Sequence, residues 1–156
     1  MCCVKVDRFS DAKFVICGKE RGKGDVRKVV IKEGGEYIKN GCHVIIVADL
    51  VQSGNTLIKC AETIQNKFVG RGKCKISAFV THGIFPGNTW EKFVKEDGSP
   101  KTHISKFYVT DSIPVSGRYN IGVGKKVFEV LSIAPIVEYF ISETDCNNEY
   151  KSLFDS

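Results

Sequence analysis

Residues 43–58 constrain the fold of this chain more than any other stretch of the sequence. The run VIIVA at residues 44–48 is apolar without alternation, which predicts a strand buried on both faces of a parallel sheet. Asp49 comes next, and the small-residue turn SGNT at residues 53–56 leads into apolar positions at helical spacing. We therefore predict a strand, a turn and a helix, with backbone N–H groups at the helix N-terminus available to an anion.

A carboxylate accompanies this predicted anion site. Asp49 lies between the predicted strand at residues 43–47 and the turn, so its side chain can accept hydrogen bonds from hydroxyl groups or bind a metal ion. An anion site beside a hydroxyl-binding carboxylate predicts a phosphorylated sugar as the ligand.

Strand and helix patterns alternate along the chain and predict an α/β fold. We expect a mostly parallel, twisted sheet with helices on both faces and a short antiparallel flap. The basic, glycine-rich segment at residues 19–28 and the acidic turn after residue 47 both leave carboxyl ends of predicted strands, where ligands bind in such sheets. We therefore expect them to meet at one site. Strands are predicted at residues 13–17, 26–32, 43–47, 75–81, 106–110 and 127–132, and helices at 56–68, 90–95 and 134–142.

Composition excludes several classes of protein. The 156 residues carry a formal net charge of +5 that is spread along the chain, without the interleaved aromatic residues of a nucleic-acid-binding module. No apolar run approaches the ~18 residues of a membrane span. We expect neither nucleic acid nor membrane as a partner. The N-terminus lacks an apolar secretory signal, which predicts a cytoplasmic protein. The seven cysteines form no Cys-x-x-Cys pair, so we expect free thiols.

Residues 49–57 (DLVQSGNTL) resemble the phosphoribosyl-pyrophosphate signature, which type I phosphoribosyltransferases share with ribose-phosphate pyrophosphokinases (PRPP synthetases). The VQS version of the turn is closest to the plant-type, phosphate-independent class, and KER at residues 19–21 resembles the flexible catalytic loop of PRPP synthetases. The resemblance spans about residues 13–141 and implies a type I phosphoribosyltransferase-like fold. Three further segments resemble the C-terminal half of PRPP synthetases, namely SAFVTHGIFP at residues 77–86 with Trp90, FYVTDS at 107–112 and FEVLS at 128–132.

The resemblance implies a reaction and a set of site residues. The reaction moves the β,γ-diphosphoryl group of ATP to the C1 hydroxyl of ribose 5-phosphate, with Mg²⁺, and releases AMP. Lys19 and Arg21 are implied as the catalytic cations that close over the transferring phosphates. Asp49 is implied to bind the ribose hydroxyls, and it is the candidate ligand for Mg²⁺. The implied binding set for ribose 5-phosphate is Asp49, Gln52, Ser53, Gly54, Asn55 and Thr56.

The chain departs from the family pattern in two respects. Ala48 stands where the family has the first of two acidic residues, and Asn55 replaces a glycine. The second departure is that the resemblance does not cover the N-terminal domain, which binds ATP in the family. We divide the chain into an N-terminal remnant (1–12), a phosphoribosyltransferase-like domain (13–142) and a polar tail (143–156). We expect it to be inactive alone.

Other interpretations stay open at this point. The chain can be a non-catalytic regulatory subunit that associates with full-length PRPP synthetase, or a small nucleobase phosphoribosyltransferase. The family assembles into oligomers, which implies a homo-oligomer. Taken alone, Thr56 is a helix cap and Lys19 with Arg21 is a solvated turn. We predict a structural role for His82, and we expect Trp90 and Phe93 to pack inside the protein.

Overall fold

The structure is a computed structural model that describes residues 2–6, 12–21, 27–67, 74–113 and 122–146. A twisted β-sheet and two α-helices make up most of this part of the chain. The strands are β1 (Cys2–Val6), β2 (Lys13–Arg21), β3 (Arg27–Glu33), β4 (His43–Val51), β5 (Lys75–Gly83), β6 (Ile104–Thr110) and β7 (Phe128–Leu131). The helices are α1 (Asn55–Asn66) and α2 (Ala134–Cys146), with 3-10 segments at Gly35–Tyr37, Pro86–Phe93 and Gly122–Lys126.

The strands form one mixed sheet in the order β3-β2-β1-β4-β5-β6-β7. Strands β4 to β7 run parallel, while β1 pairs antiparallel with both β2 and β4, and β2 pairs antiparallel with β3. Parallel neighbours need a long connection that returns the chain to the same end of the sheet. α1 provides this connection between β4 and β5, and the chain segment that contains Pro86–Phe93 provides it between β5 and β6. The predicted α/β fold with a mostly parallel sheet and an antiparallel part is confirmed.

Strand β1 lies in a segment to which the sequence analysis assigns no element. Val4 pairs with Val15 of β2 on one side and with Ile46 of β4 on the other. The N-terminal residues thus connect the antiparallel hairpin to the parallel strands. At the other end of the chain, α2 continues to Cys146, beyond the predicted boundary at residue 142. The division into three regions remains a prediction.

One face of the sheet carries the hydrophobic core. Helix α1 packs there through a buried stripe formed by Leu57, Cys60, Ala61 and Ile64, as its helical spacing predicts. The 3-10 segment Pro86–Phe93 covers the neighbouring strands, and Phe93 lies 5.1 Å from Phe107 between ring centroids. The predicted packing of Trp90 and Phe93 is confirmed. The fully buried aromatic residues of this core are Phe93, Phe107 and Phe128.

Helix α2 contributes little to this core. Its apolar side chains Ile136, Val137, Tyr139, Phe140 and Ile141 are between 46% and 61% exposed. The helix predicted at residues 134–142 is therefore present, but its apolar side chains are largely exposed. Phe14 on β2 is likewise exposed.

Asp111 anchors the start of α2 to the end of β6. Its carboxylate accepts hydrogen bonds from the backbone N–H of Ile133 at 2.9 Å and from the hydroxyl of Ser132 at 2.7 Å. The bond from the Ile133 amide, with that from Ser132, lowers the pKa of Asp111 below its ordinary value of 3.8. A depressed folded-state pKa means that the anchor stabilises the fold above pH 3.8 and is lost as the pH falls through the lower, folded value.

We expect the amide NMR signal of Ile133 to titrate with a midpoint below 3.8. The cause is the direct hydrogen bond from this amide to the Asp111 carboxylate. In the variant Asp111→Asn this titration should disappear while the other amide signals of the sheet persist. A midpoint at or above 3.8 in the unmodified chain would contradict the anchor.

Candidate functional site

A cavity of about 520 Å³ opens at the carboxyl end of β4. One wall comes from the hairpin of β2 and β3, and the other from the end of β4, the turn after it and the start of α1. Five of the six residues predicted to bind ribose 5-phosphate line it, namely Asp49, Gln52, Ser53, Gly54 and Thr56. The sixth, Asn55, is exposed beside them. Lys19 lines the opposite wall.

The turn has the geometry of a helix N-terminus that is built on glycine. Gly54 is the residue before α1 and has a left-handed backbone, with φ of 73°. Its carbonyl accepts the first helical hydrogen bond, from the N–H of Ile58 at 3.1 Å. No side chain caps the helix, so Thr56 does not act as the cap. The first N–H groups of an α-helix have no partner within the helix, and here they belong to residues at the edge of the cavity.

Asp49 lies on β4 itself, because this strand runs to Val51 rather than ending at residue 47 as predicted. Its carboxylate is exposed and accepts a hydrogen bond from the N–H of Leu50 at 2.8 Å. This bond holds one carboxylate oxygen against the backbone and leaves the second free to receive hydroxyl groups of a ligand. Asp49 is the one acidic side chain that lines this cavity among the residues described.

Lys19 and Arg21 belong to a strand, because β2 extends beyond its predicted end at residue 17. β2 continues to Arg21, and Lys19 pairs with Val29 of β3. The β-branched run Val29-Val30-Ile31 favours a strand in β3, which gives β2 a partner over this length. The exposed Lys19 side chain stands on this strand. The side chain of Arg21 and all of residues 22–26 lie outside the described residues.

The 3-10 segment Pro86–Phe93 supports the turn from behind, which the sequence analysis did not foresee. The Thr89 hydroxyl donates to the carbonyl of Gln52 at 2.9 Å. The Lys92 ammonium lies 3.4 Å from the carbonyl of Ser53 and 3.2 Å from Oδ1 of Asn55. These contacts join residues 37 to 39 positions apart, so no local pattern could have signalled them.

His82 lies outside the cavity lining. Its Nδ1 is 2.8 Å from Oγ of Ser112, which also donates to the carbonyl of Thr81. Thr110 donates to the same carbonyl at 2.6 Å. This network joins the ends of β5 and β6. A hydrogen-bonding role of this kind for His82 is structural, as predicted.

The cavity can be tested for a magnesium site. No group of three or more His, Cys, Asp or Glu side chains with metal-binding geometry occurs in the described part of the chain. Mg²⁺ is commonly held by one or two carboxylates together with substrate phosphates, so the single carboxylate of Asp49 fits an ion that arrives with phosphates.

The described cysteines are thiols, as predicted. No disulfide joins Cys17, Cys42, Cys60 or Cys74. Cys17 lines the cavity, and a hydrogen bond with Cys60 lowers the pKa of its thiol against the opposing effect of burial. No helix in the described residues is both long and apolar enough to cross a membrane.

Sequence comparison relates the chain to known proteins. It is 46% identical over 122 residues to "Ribose-phosphate pyrophosphokinase 3, chloroplastic" of Oryza sativa subsp. japonica, a match that covers 78% of this chain and 27% of the relative. It is 45% identical over 121 residues to "Ribose-phosphate pyrophosphokinase 4" of Arabidopsis thaliana, covering 77% and 33%. A ribose-phosphate pyrophosphokinase of Brucella melitensis is 28% identical over 148 residues. The chain therefore spans a third or less of the two plant relatives. No protein-family model matches it.

Structural comparison agrees on the fold. The crystal structure of phosphoribosylpyrophosphate synthetase from Mycobacterium smegmatis aligns with a TM-score of 0.57 at 19% identity, covering 86% of this chain and 37% of that one. At this identity the match shows a shared fold. The family comes from the sequence matches to the plant proteins. Over some 121 residues, this chain belongs to the ribose-phosphate pyrophosphokinase (PRPP synthetase) family and corresponds to a part of those longer proteins.

Proposed function

We propose that this chain is the C-terminal, ribose 5-phosphate-binding domain of a ribose-phosphate pyrophosphokinase. The observation that carries the proposal is one cavity whose lining includes Asp49, Lys19 and four residues of the turn at residues 52–56, namely Gln52, Ser53, Gly54 and Thr56. A carboxylate, a cation and a glycine-containing helix N-terminus around one space suit a ligand with both hydroxyl groups and phosphate.

The turn would hold the 5-phosphate of the sugar. The backbone N–H groups at the start of α1 supply donors, and the helix dipole adds a partial positive charge at this end. The hydroxyls of Ser53 and Thr56 line the same space and can donate to phosphate oxygens. Gln52 and Asn55 belong to the same turn and complete the proposed phosphate site.

Asp49 would bind the ribose 2- and 3-hydroxyl groups, because a carboxylate accepts two hydrogen bonds at once. Mg²⁺ would bind at the same carboxylate together with substrate phosphates and would neutralise phosphate charge there. Ala48 contributes no charge, so among the described lining residues Asp49 provides the acidic function of this wall.

Lys19 and Arg21 would stabilise the transferring diphosphoryl group. In the proposed reaction, the C1 hydroxyl oxygen of ribose 5-phosphate attacks the β-phosphorus of ATP, and the bond to the α-phosphate oxygen breaks to release AMP. The hydroxyl proton is released to water in this step. The ammonium of Lys19, which lines the cavity across from Asp49, would oppose the negative charge of the phosphates.

We propose that the chain does not complete this reaction alone. It spans 27% and 33% of two relatives that carry the enzyme name, and ATP would bind with help from a sister segment or subunit. The proposed partners are ribose 5-phosphate, ATP and either further copies of the chain or a full-length PRPP synthetase. The cytoplasmic location stays a prediction, and the names of two plant relatives, chloroplastic and mitochondrial, assign those proteins to organelles.

We expect the purified chain to bind ribose 5-phosphate in calorimetric titration, and Asp49→Asn to weaken this binding about 10- to 100-fold. The reason is the loss of charge-assisted hydrogen bonds to the sugar hydroxyls. Glu62→Gln is the matched control, because Glu62 is an exposed acid on α1 that does not line the cavity.

The hydroxyl assignment has its own test. The unmodified chain should bind 2-deoxyribose 5-phosphate more weakly than ribose 5-phosphate. Asp49→Asn should bind the two sugars with about the same affinity, because the missing hydroxyl and the missing charge belong to one interaction. A folded chain that binds no ribose 5-phosphate at millimolar concentration would contradict the proposed function.

A further inference from the structure

We propose that Thr89 and Lys92, together called the clamp, are positioning residues. They would orient two backbone N–H groups of the turn at residues 52–56, here called the phosphate turn, toward the ligand. This inference rests on the proposed function, since it concerns how the same turn would hold a phosphate. It begins from two contacts that reach the turn from the 3-10 segment Pro86–Phe93. Thr89 donates to the carbonyl of Gln52 at 2.9 Å, and the Lys92 ammonium lies 3.4 Å from the carbonyl of Ser53.

The peptide planes transmit these contacts to the other side of the turn. No described peptide bond is cis, and in a trans peptide the C=O of one residue and the N–H of the next point in opposite directions. Fixing the carbonyl of Gln52 toward Thr89 therefore turns the N–H of Ser53 away from the clamp. Fixing the carbonyl of Ser53 toward Lys92 does the same for the N–H of Gly54.

The clamp contacts the turn from outside the lining of the cavity. Ser53 and Gly54 both line it, whereas neither clamp residue is among the described residues of its lining. The clamp thus acts through the turn and not by direct contact with the cavity. Gly54 can follow this orientation because its φ of 73° is in the left-handed region, which glycine adopts without strain.

Lys92 adds an electrostatic effect to the geometric one. Its ammonium also lies 3.2 Å from Oδ1 of Asn55, the first residue of α1. A positive charge there adds to the partial positive charge of the helix N-terminus and favours a dianionic phosphate. A carbonyl that accepts from an ammonium also polarises its own peptide unit, which makes the N–H of Gly54 a stronger donor.

The clamp can be tested by affinity for ribose 5-phosphate in the full chain. Lys92→Met keeps the aliphatic stem and removes the donor, and we expect about tenfold weaker binding. Thr89→Val keeps the shape and removes the hydroxyl, with an expected loss of about threefold to tenfold. Lys92→Arg should restore most of the affinity because the guanidinium can donate to the same carbonyl. Lys95→Met removes an exposed charge just beyond the same 3-10 segment and is the matched control.

A second measurement separates the clamp from the proposed function. In the ligand-free chain, the amide NMR signals of Ser53 and Gly54 should shift in Lys92→Met and Thr89→Val but stay in place in Lys95→Met. If the unmodified chain binds no ribose 5-phosphate, the proposed function fails, and these two amide signals still decide whether the clamp orients the turn.

Two results would overturn the proposal. One is unchanged affinity, or unchanged amide signals, in both clamp variants. The other is a loss of affinity that follows a lowered unfolding midpoint and is not rescued by Lys92→Arg, since that would mean a general loss of stability. Weaker binding with an unchanged unfolding midpoint and shifted Ser53 and Gly54 signals supports the clamp.

Discussion

Gly54→Ala is expected to lower the free energy of unfolding by about 2–4 kcal/mol and to remove binding of ribose 5-phosphate. Two effects add at this position. The backbone φ of 73° is strained for any residue with a Cβ, and an added Cβ would lie 2.5 Å from Cζ of Phe93. Phe93 is fully buried and cannot move aside. The turn must therefore shift, and with it the N–H groups that face the cavity.

Gly87→Ala isolates the backbone part of this effect. Gly87 also has a left-handed φ, of 59°, but an added Cβ there meets nothing within 4 Å. We expect a loss of about 1–2 kcal/mol for this control, with ribose 5-phosphate binding retained. Urea unfolding measures the loss in free energy of unfolding for Gly54→Ala and for Gly87→Ala. The difference between the two losses reports the clash with Phe93. Equal losses for the two variants would show that Phe93 does not restrict the turn.

Phe107→Ala is expected to lower the free energy of unfolding by about 3–5 kcal/mol, the cost of removing a fully buried aromatic side chain. Phe107 lies at the centre of the aromatic core, 4.9 Å from Phe128, 5.1 Å from Phe93 and 5.7 Å from Phe85 between ring centroids. Truncation leaves a cavity that these large rings fill poorly, because each is held by the others.

Phe14→Ala is the matched control for this prediction. Phe14 is 65% exposed on β2, so its truncation removes little buried surface, and we expect a change within about 1 kcal/mol. Urea unfolding measures the free energy of unfolding of both variants. The comparison holds if the dependence of this free energy on urea concentration is the same for both. A loss below about 1 kcal/mol for Phe107→Ala would mean that the aromatic rings collapse around the missing one and that the core is loosely packed.

Local patterns predicted the elements that carry the strongest periodicity. Strand β4 begins at His43 as predicted, and the helix expected at residues 56–68 appears as Asn55–Asn66. Both signals arise from side-chain spacing within one element, and burial of that element preserves them. The turn between them follows from Gly54 and the helix pattern, so the cavity edge was accessible from sequence.

Other features depend on contacts between distant segments. β1 is a five-residue strand with two cysteines and a lysine, and only its pairing with β2 and β4 makes it a strand. The segment Pro86–Phe93 contains left-handed residues at Gly87 and Asn88, which interrupt any helical pattern. Its contacts with the phosphate turn depend on tertiary packing. α2 shows the converse: its apolar residues predict burial, and the described part of the chain leaves them exposed.

β1 joins the two walls of the cavity at its base. Cys2 pairs with Cys17 of β2 and Cys3 with Val47 of β4, next to Gly18 and Ala48, which line the cavity. Because β1 lies between them, β2 and β4 are held two inter-strand spacings apart there, or about 9.6 Å. The breadth of the slot that would accept a sugar phosphate is therefore set at its base by backbone hydrogen bonding rather than by the bulk of surrounding side chains.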